Sequence, residues 1–156
     1  MNMDPIAGRT CGSCTLCCRL PEIGQLDKPA NVWCSYCLPG QGCSIYDRRP
    51  APCRDFLCLW RTSPQLKPHW DPAVSRMMIY VQGPQTTVLV DPDFAAIWQR
   101  SPYAEELARL AREAEASGGY VILFVGDDVF KIEPAPDAGP ESGGRHERLA
   151  AAACAG

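Results

Sequence analysis

Nine of the ten cysteines in this 156-residue chain fall between residues 11 and 58, and that crowding limits what its first third can become. They run Cys11-x2-Cys14-x2-Cys17-Cys18 and then, after fifteen residues, Cys34-x2-Cys37-x5-Cys43-x9-Cys53-x4-Cys58; only Cys154 lies elsewhere. The same stretch has few long apolar runs and many turn residues, among them Pro21, Gly24, Pro29, Pro39, Gly40, Gly42, Pro50 and Pro52. A hydrophobic core alone is not expected to order it, so cross-links of some kind must. The opening MNMDPIAGRT has no apolar stretch of signal-peptide length, and no later segment reaches the roughly 20 apolar residues of a membrane span. A cytoplasmic location without a membrane partner is the resulting expectation. In a reducing compartment, thiols at two-residue spacing read as metal ligands before they read as disulfides.

Two residues between cysteines let a tight turn aim both sulfurs at one ion, and two such turns complete a tetrahedral site. Sulfur donors suit zinc, iron–sulfur clusters and copper(I) and disfavour magnesium and calcium, which want oxygen. Adjacent Cys17 and Cys18 are expected to diverge along the backbone and to serve different purposes. Nine thiols could fill two four-sulfur sites with one left over, although the count alone does not establish two sites. Zinc is the first expectation and iron or an iron–sulfur cluster its rival. The opening Cys-x2-Cys-x2-Cys has the rhythm of bacterial ferredoxins, but the Cys-Pro expected three residues later is absent: Cys18 follows at once, then Arg19. Four thiolates on a zinc ion carry a net charge of -2, which Arg19, Arg48, Arg49, Arg54 and Arg61 could offset. Those arginines read equally well as a solvated face.

The formal charge of -3 and pI near 5.3 argue against a globally basic nucleic-acid binder. Residues 1 to 64 carry a local charge of +2 and residues 65 to 156 one of -5. Arginines 48, 49, 54 and 61 beside Tyr46, Phe56 and Trp60 could meet phosphates and bases, but the patch is too small to lead. No C2H2 spacing, P-loop or dinucleotide glycine fingerprint occurs. His69, in KPHWDP, reads as a surface-loop histidine before a ligand, and His146 carries little weight. Cys154 reads as a thiol with no task. Asp91, Asp93, Asp127 and Asp128 sit at predicted strand ends, where carboxylates serve turns; nothing marks them as an acid/base pair.

Beyond the cysteines, SRMMIYV (75–81) and TTVLV (86–90) flank GPQ and read as a strand pair. Ser101 followed by Pro102 predicts a helix opening there and running to about Ser117, with Tyr103, Leu107, Leu110, Ala111 and Ala114 on its apolar face. Gly118-Gly119 ends it. YVILFV (120–125) reads as a buried strand turning through Gly126-Asp127-Asp128 into the shorter VFKI. The expected architecture is α+β: a cysteine-rich, metal-stabilised segment (9–62) packed on a short antiparallel sheet with one main helix (63–133). A loose tail follows from 134 to 156, in which RHERLAAAA could form a short helix.

The string CGSCTLCC (11–18), then Cys34, then GCSIYDRRPAPCRDF (42–56) resembles the cysteine-cluster proteins called YkgJ-like, described as zinc- or iron-chelating domains and often labelled Fe–S oxidoreductases. The resemblance covers about residues 9 to 60. Cys43-x-Ile45-Tyr46, Arg49-Pro50 and Cys53-Arg54-x-Phe56 are its more specific half. It implies metal-ligand roles chiefly for Cys14, Cys17, Cys18, Cys34, Cys43 and Cys53, with Cys11, Cys37 and Cys58 as additions. Two departures, the second thiol of Trp33-Cys34-Ser35-Tyr36-Cys37 and the short stretch between Cys18 and Cys34, bear on the number of metals. The reading is a metal-binding protein holding zinc or iron in a structural or accessory role, with an unidentified protein partner allowed and no catalytic residue assigned. A closed four-sulfur site has no open position at which to activate water, which argues against hydrolysis. The alternatives are an iron–sulfur oxidoreductase or electron-transfer protein, and a zinc-dependent module for protein or nucleic acid.

Overall fold

A computed structural model describes residues 5–9, 14–51, 53 and 58–134, together with the backbone of Glu147–Leu149. The chain divides into two compact units, Met1–Met78 and Ile79–Gly156. Proline and glycine break the first unit into short pieces. Its described elements are 3-10 turns at Leu16–Cys18, Gly24–Leu26, Tyr46–Arg48 and Pro68–Trp70, and four-residue helices at Leu59–Thr62 and Pro72–Ser75. A two-stranded antiparallel ribbon joins β1 (Cys37–Leu38) to β2 (Gly42–Cys43). Its reversal needs Gly40 at φ 73° and Gly42 at φ 139°, values that a side chain would oppose. Leu16, Leu20, Ile23, Leu66 and Trp70 are nonetheless buried, so the unit contains more apolar interior than its turn-rich composition suggests.

Strand β3 (Met77–Gln82) begins at the boundary between the units and leads into a five-stranded sheet of order β3-β4-β5-β6-β7. Its partners are β4 (Gln85–Val90), β5 (Tyr120–Val125), β6 (Asp128–Ile132) and β7 (Glu147–Leu149). The GPQ segment is the turn between β3 and β4, with Gly83 at φ 57°. Asp91 ends β4: it is fully buried, and its Oδ1 accepts a bond from the Asp93 N–H at 2.9 Å, capping the next turn.

Helix α1 (Tyr103–Ala116) starts one residue later than the Ser-Pro signal predicts. Pro102 itself is the cap, and its carbonyl accepts the Glu106 N–H at 3.1 Å. The helix buries Tyr103, Leu107, Ala108 and Ala111; Leu110 and Ala114 are only half-buried, so the buried stripe is turned slightly from the expected one. In β5 the apolar run alternates, with Val121, Leu123 and Val125 buried and Ile122 and Phe124 half-buried. β6 returns antiparallel through Gly126, pairing Val125 with Asp128 and Val121 with Ile132. Trp98 and Phe130 meet with ring centroids 5.1 Å apart.

The class is α+β as expected, but the sheet is mixed, and the purely antiparallel expectation is corrected. β4 and β5 run parallel in the register Gln85↔Tyr120 to Val90↔Val125. Residues 91–119, with α1 among them, return the chain to the same end of the sheet, and a parallel pair requires a crossover of this kind. The stretch from 134 to 156 contributes β7, antiparallel to β6; Glu147–Leu149 are strand where RHERLAAAA allowed a helix. Among the described residues, no helix is long and apolar enough to cross a membrane.

Candidate metal centre

Local backbone geometry draws the cysteine segments together. The 3-10 turn at Leu16–Cys18 is followed by Leu20, whose N–H reaches the Leu16 carbonyl at 2.8 Å. The Cys34 N–H donates to the Cys18 carbonyl at 2.8 Å, bridging the fifteen-residue gap between the two thiol groups. The Cys37 N–H donates to the Cys34 carbonyl at 3.0 Å, closing Cys34-x2-Cys37 into one tight turn. The ribbon then sets Cys43 directly opposite Cys37. Thr15, itself buried, accepts the Gly40 N–H on its Oγ1 at 3.2 Å and pins the ribbon's reversal to the first cysteine segment. Cys53 follows Arg49-Pro50, and its N–H bonds the Pro50 carbonyl at 3.0 Å.

Cys14, Cys17, Cys18, Cys34, Cys37, Cys43, Cys53 and Cys58 are not in disulfides; Cys34 is buried and the rest are half-buried. The Cys18 thiol is brought down to about 6, first by a hydrogen bond with Cys17, then by one with Cys37 and by the positive charges of Lys28 and Arg49, against burial, which raises it. Burial, followed by the charge of Cys18, the hydrogen bond to it and the charges of Cys34 and Cys43, pushes Cys37 up to about 12. Burial also raises Cys53, helped by the charges of Cys18, Cys34 and Cys43 and opposed by Arg49. At neutral pH the metal-free cluster therefore holds Cys18 as a thiolate that accepts bonds from neighbouring thiols. Adjacent Cys17 and Cys18 share the 3-10 turn at Leu16–Cys18, and a hydrogen bond between their thiols is the largest influence on Cys18.

The cluster has a cation that sequence patterns do not mark. Lys28 is only 4 % exposed, held where Ile23 and Lys28 pair as a β-bridge, and its Nζ donates to the carbonyls of Arg19 and Pro29 at 2.8 Å each. Burial lowers its pKa, while the charges of Cys34, Cys18, Cys17 and Cys53 pull it back up. Arg49 stacks on Tyr46 at 3.8 Å and donates from Nε to the Tyr46 carbonyl at 2.9 Å and from a terminal nitrogen to the Cys53 carbonyl at 3.4 Å. Arg19 lies over the Trp33 ring at 5.5 Å. Of the aromatic–arginine stretch, Tyr46 and Arg48 are exposed, while Trp60 is buried and Arg61 donates to the Arg9 carbonyl at 3.3 Å. Arg54 and Phe56 lie outside the described residues.

Arg9 was also missed. Its guanidinium bonds the carbonyls of Trp60, Ser63 (2.8 Å) and Leu66 (2.7 Å), and its charge sits 5.1 Å from the centre of the Trp60 ring. The Ile6 N–H donates to the Arg61 carbonyl at 2.7 Å, so residues 5–9 are strapped to the segment that Cys58 opens. A lone arginine ahead of the first cysteine gives no periodic signal.

Of the predicted ligands, the structure brings Cys17, Cys18, Cys34, Cys37, Cys43 and Cys53 into one electrostatic neighbourhood. Cys14 and Cys58 belong to the same unit, and Cys11 and Cys154 lie outside the described residues. His69 stands on the Pro68–Trp70 turn with its ring centroid 6.2 Å from that of Trp70. Among the described residues, no three histidine, cysteine or acidic side chains are already gathered about one point that a metal ion would occupy. The donor set itself fits a soft or borderline ion: the thiols are unbridged, one is held as thiolate, and a buried cation stands beside them. Cys18, Cys34, Cys37, Cys43 and Cys53 are the residues that would hold it, with Cys17 alongside. Compared with protein-family models, with curated proteins and with solved structures, the chain finds no match.

Proposed function

We propose that the first unit is a thiolate metal centre, binding zinc in a structural or accessory role through cysteines drawn from Cys17, Cys18, Cys34, Cys37, Cys43 and Cys53. The observation that carries this reading is how the cysteine segments are tied together: the Cys34 N–H bonds the Cys18 carbonyl, Cys37 turns back onto Cys34, Cys43 pairs with Cys37, and buried Lys28 bonds the Arg19 carbonyl beside Cys18. The YkgJ-like pattern of CGSCTLCC and GCSIYDRRPAPCRDF supports it from the sequence side: that resemblance implies Cys17, Cys18, Cys34, Cys43 and Cys53 among its chief ligands, together with Cys14, and Cys37 as an addition. Metal binding and ordering of this unit are then one process, because deprotonating and gathering thiolates is work that the ion returns as folding free energy. Bound zinc would supply a closed cross-link. The chain's own residues provide the turns that present sulfur and the cations that offset its charge.

The test is metal content in single cysteine variants. Cys53→Ser should lose bound metal and become less stable, whereas Cys154→Ser should keep its full complement. Wild-type metal content in Cys53→Ser would remove that residue from the ligand set.

A further inference from the structure

Lysine is rarely buried unless its charge is matched, and an isolated ammonium in a protein interior costs several kcal/mol. Lys28 is 4 % exposed, yet among the described residues no carboxylate pairs with it. Its two hydrogen bonds go to neutral carbonyls, those of Arg19 and Pro29. The charges around it are sulfur: Cys34, Cys18, Cys17 and Cys53. Position adds to this, because Arg19 follows Cys18 directly and its carbonyl is one of the two that the lysine grips. The side chain thereby holds the backbone next to Cys18 while placing a buried positive charge beside the cysteine segment.

Resting on the metal-centre reading above, we infer that Lys28 is the built-in counter-cation of the thiolate cluster, a positioning residue that offsets its negative charge from within. Four thiolates around a divalent ion leave a charge of -2, and one buried ammonium halves it. Arg19 and Arg49 are half-buried and more open to solvent than Lys28, and a charge inside the protein is screened far less. The lysine is therefore an outer-shell partner of the kind whose loss weakens metal binding about 10–100-fold.

Two substitutions in the full chain separate charge from shape. Lys28→Gln retains an amide that can donate to carbonyls but has no charge; Lys28→Arg retains both donors and charge. Each is loaded with zinc and its affinity is measured by competition with a chromophoric chelator, beside the thermal midpoint of the metal-free chain. The expected result is a loss of about 10–100-fold in zinc affinity for Lys28→Gln and near wild-type affinity for Lys28→Arg. Wild-type affinity in Lys28→Gln overturns the counter-cation role. So does a loss of that size in Lys28→Arg, which keeps charge and donors and would show that the fit of the side chain, not its charge, sustains binding; that arm is read by itself even where the glutamine chain does not fold. A wild-type chain that takes up no zinc overturns the metal-centre reading itself, a result distinct from failure of the lysine role in a chain that does bind.

Discussion

Replacing Arg9 by alanine removes one guanidinium that serves three carbonyls at the end of the Leu59–Thr62 helix. A hydrogen bond to a charged group contributes about 1.5–3 kcal/mol, and a partly exposed cation–π contact about 0.5–1 kcal/mol. Arg9 is half-buried and water can take over part of the lost bonding, so the sum of about 5–10 kcal/mol is discounted by half or more, to about 2–4 kcal/mol. With a denaturant slope of about 2 kcal/mol/M, the urea midpoint of the metal-loaded chain should fall by about 1–2 M. Arg9→Lys keeps the charge but concentrates its donors on one nitrogen, which cannot span Trp60, Ser63 and Leu66 together, so about half of the loss should remain. The assay is urea unfolding followed by far-UV circular dichroism at fixed metal loading. A midpoint for Arg9→Ala within about 0.25 M of wild type, about 0.5 kcal/mol at that slope, would refute the reasoning, since that is the scale of an ordinary surface change.

In the reduced, metal-free chain, iodoacetamide at pH 7 should label Cys18 well ahead of Cys37, because the first lies near 6 and the second near 12. Lowering the pH through 6 protonates Cys18 and should slow its labelling; equal labelling of the two in peptide mapping would contradict this. Leu107→Ala empties a fully buried position on α1 and should destabilise the second unit by about 2–5 kcal/mol in thermal unfolding, and a change below 1 kcal/mol would mean that the site collapses freely. A β-carbon at Gly119 would fall on the Pro84 carbonyl oxygen just where the Tyr120 N–H bonds it at 3.0 Å. Gly119→Ala should therefore cost about 1–3 kcal/mol by displacing the start of β5, and an unchanged unfolding midpoint would count against that packing.

The Cys34–Cys37 turn was legible because spacing is a local property: two intervening residues and one backbone bond close it. Helix α1 and β5 were legible from periodicity, although Ala108 joined the buried face and Leu110 drew partly away from it. The parallel pairing of β4 with β5 was hidden, since each strand reads the same in either direction and only the path of the connecting helix decides. Lys28 and Arg9 were hidden for a different reason. A single cation between Asp27 and Pro29, or one ahead of Thr10, reads as solvated chain, and its value lies in carbonyls brought to it by the fold.

Metal analysis of protein purified without oxygen, together with acid-labile sulfide and an absorption spectrum, tests the central claim most directly. The account predicts a colourless protein with about one or two equivalents of zinc and no sulfide. Iron with sulfide and a brown colour would contradict the zinc assignment and point to electron transfer, and a chain with neither zinc nor iron would contradict the metal centre as a whole.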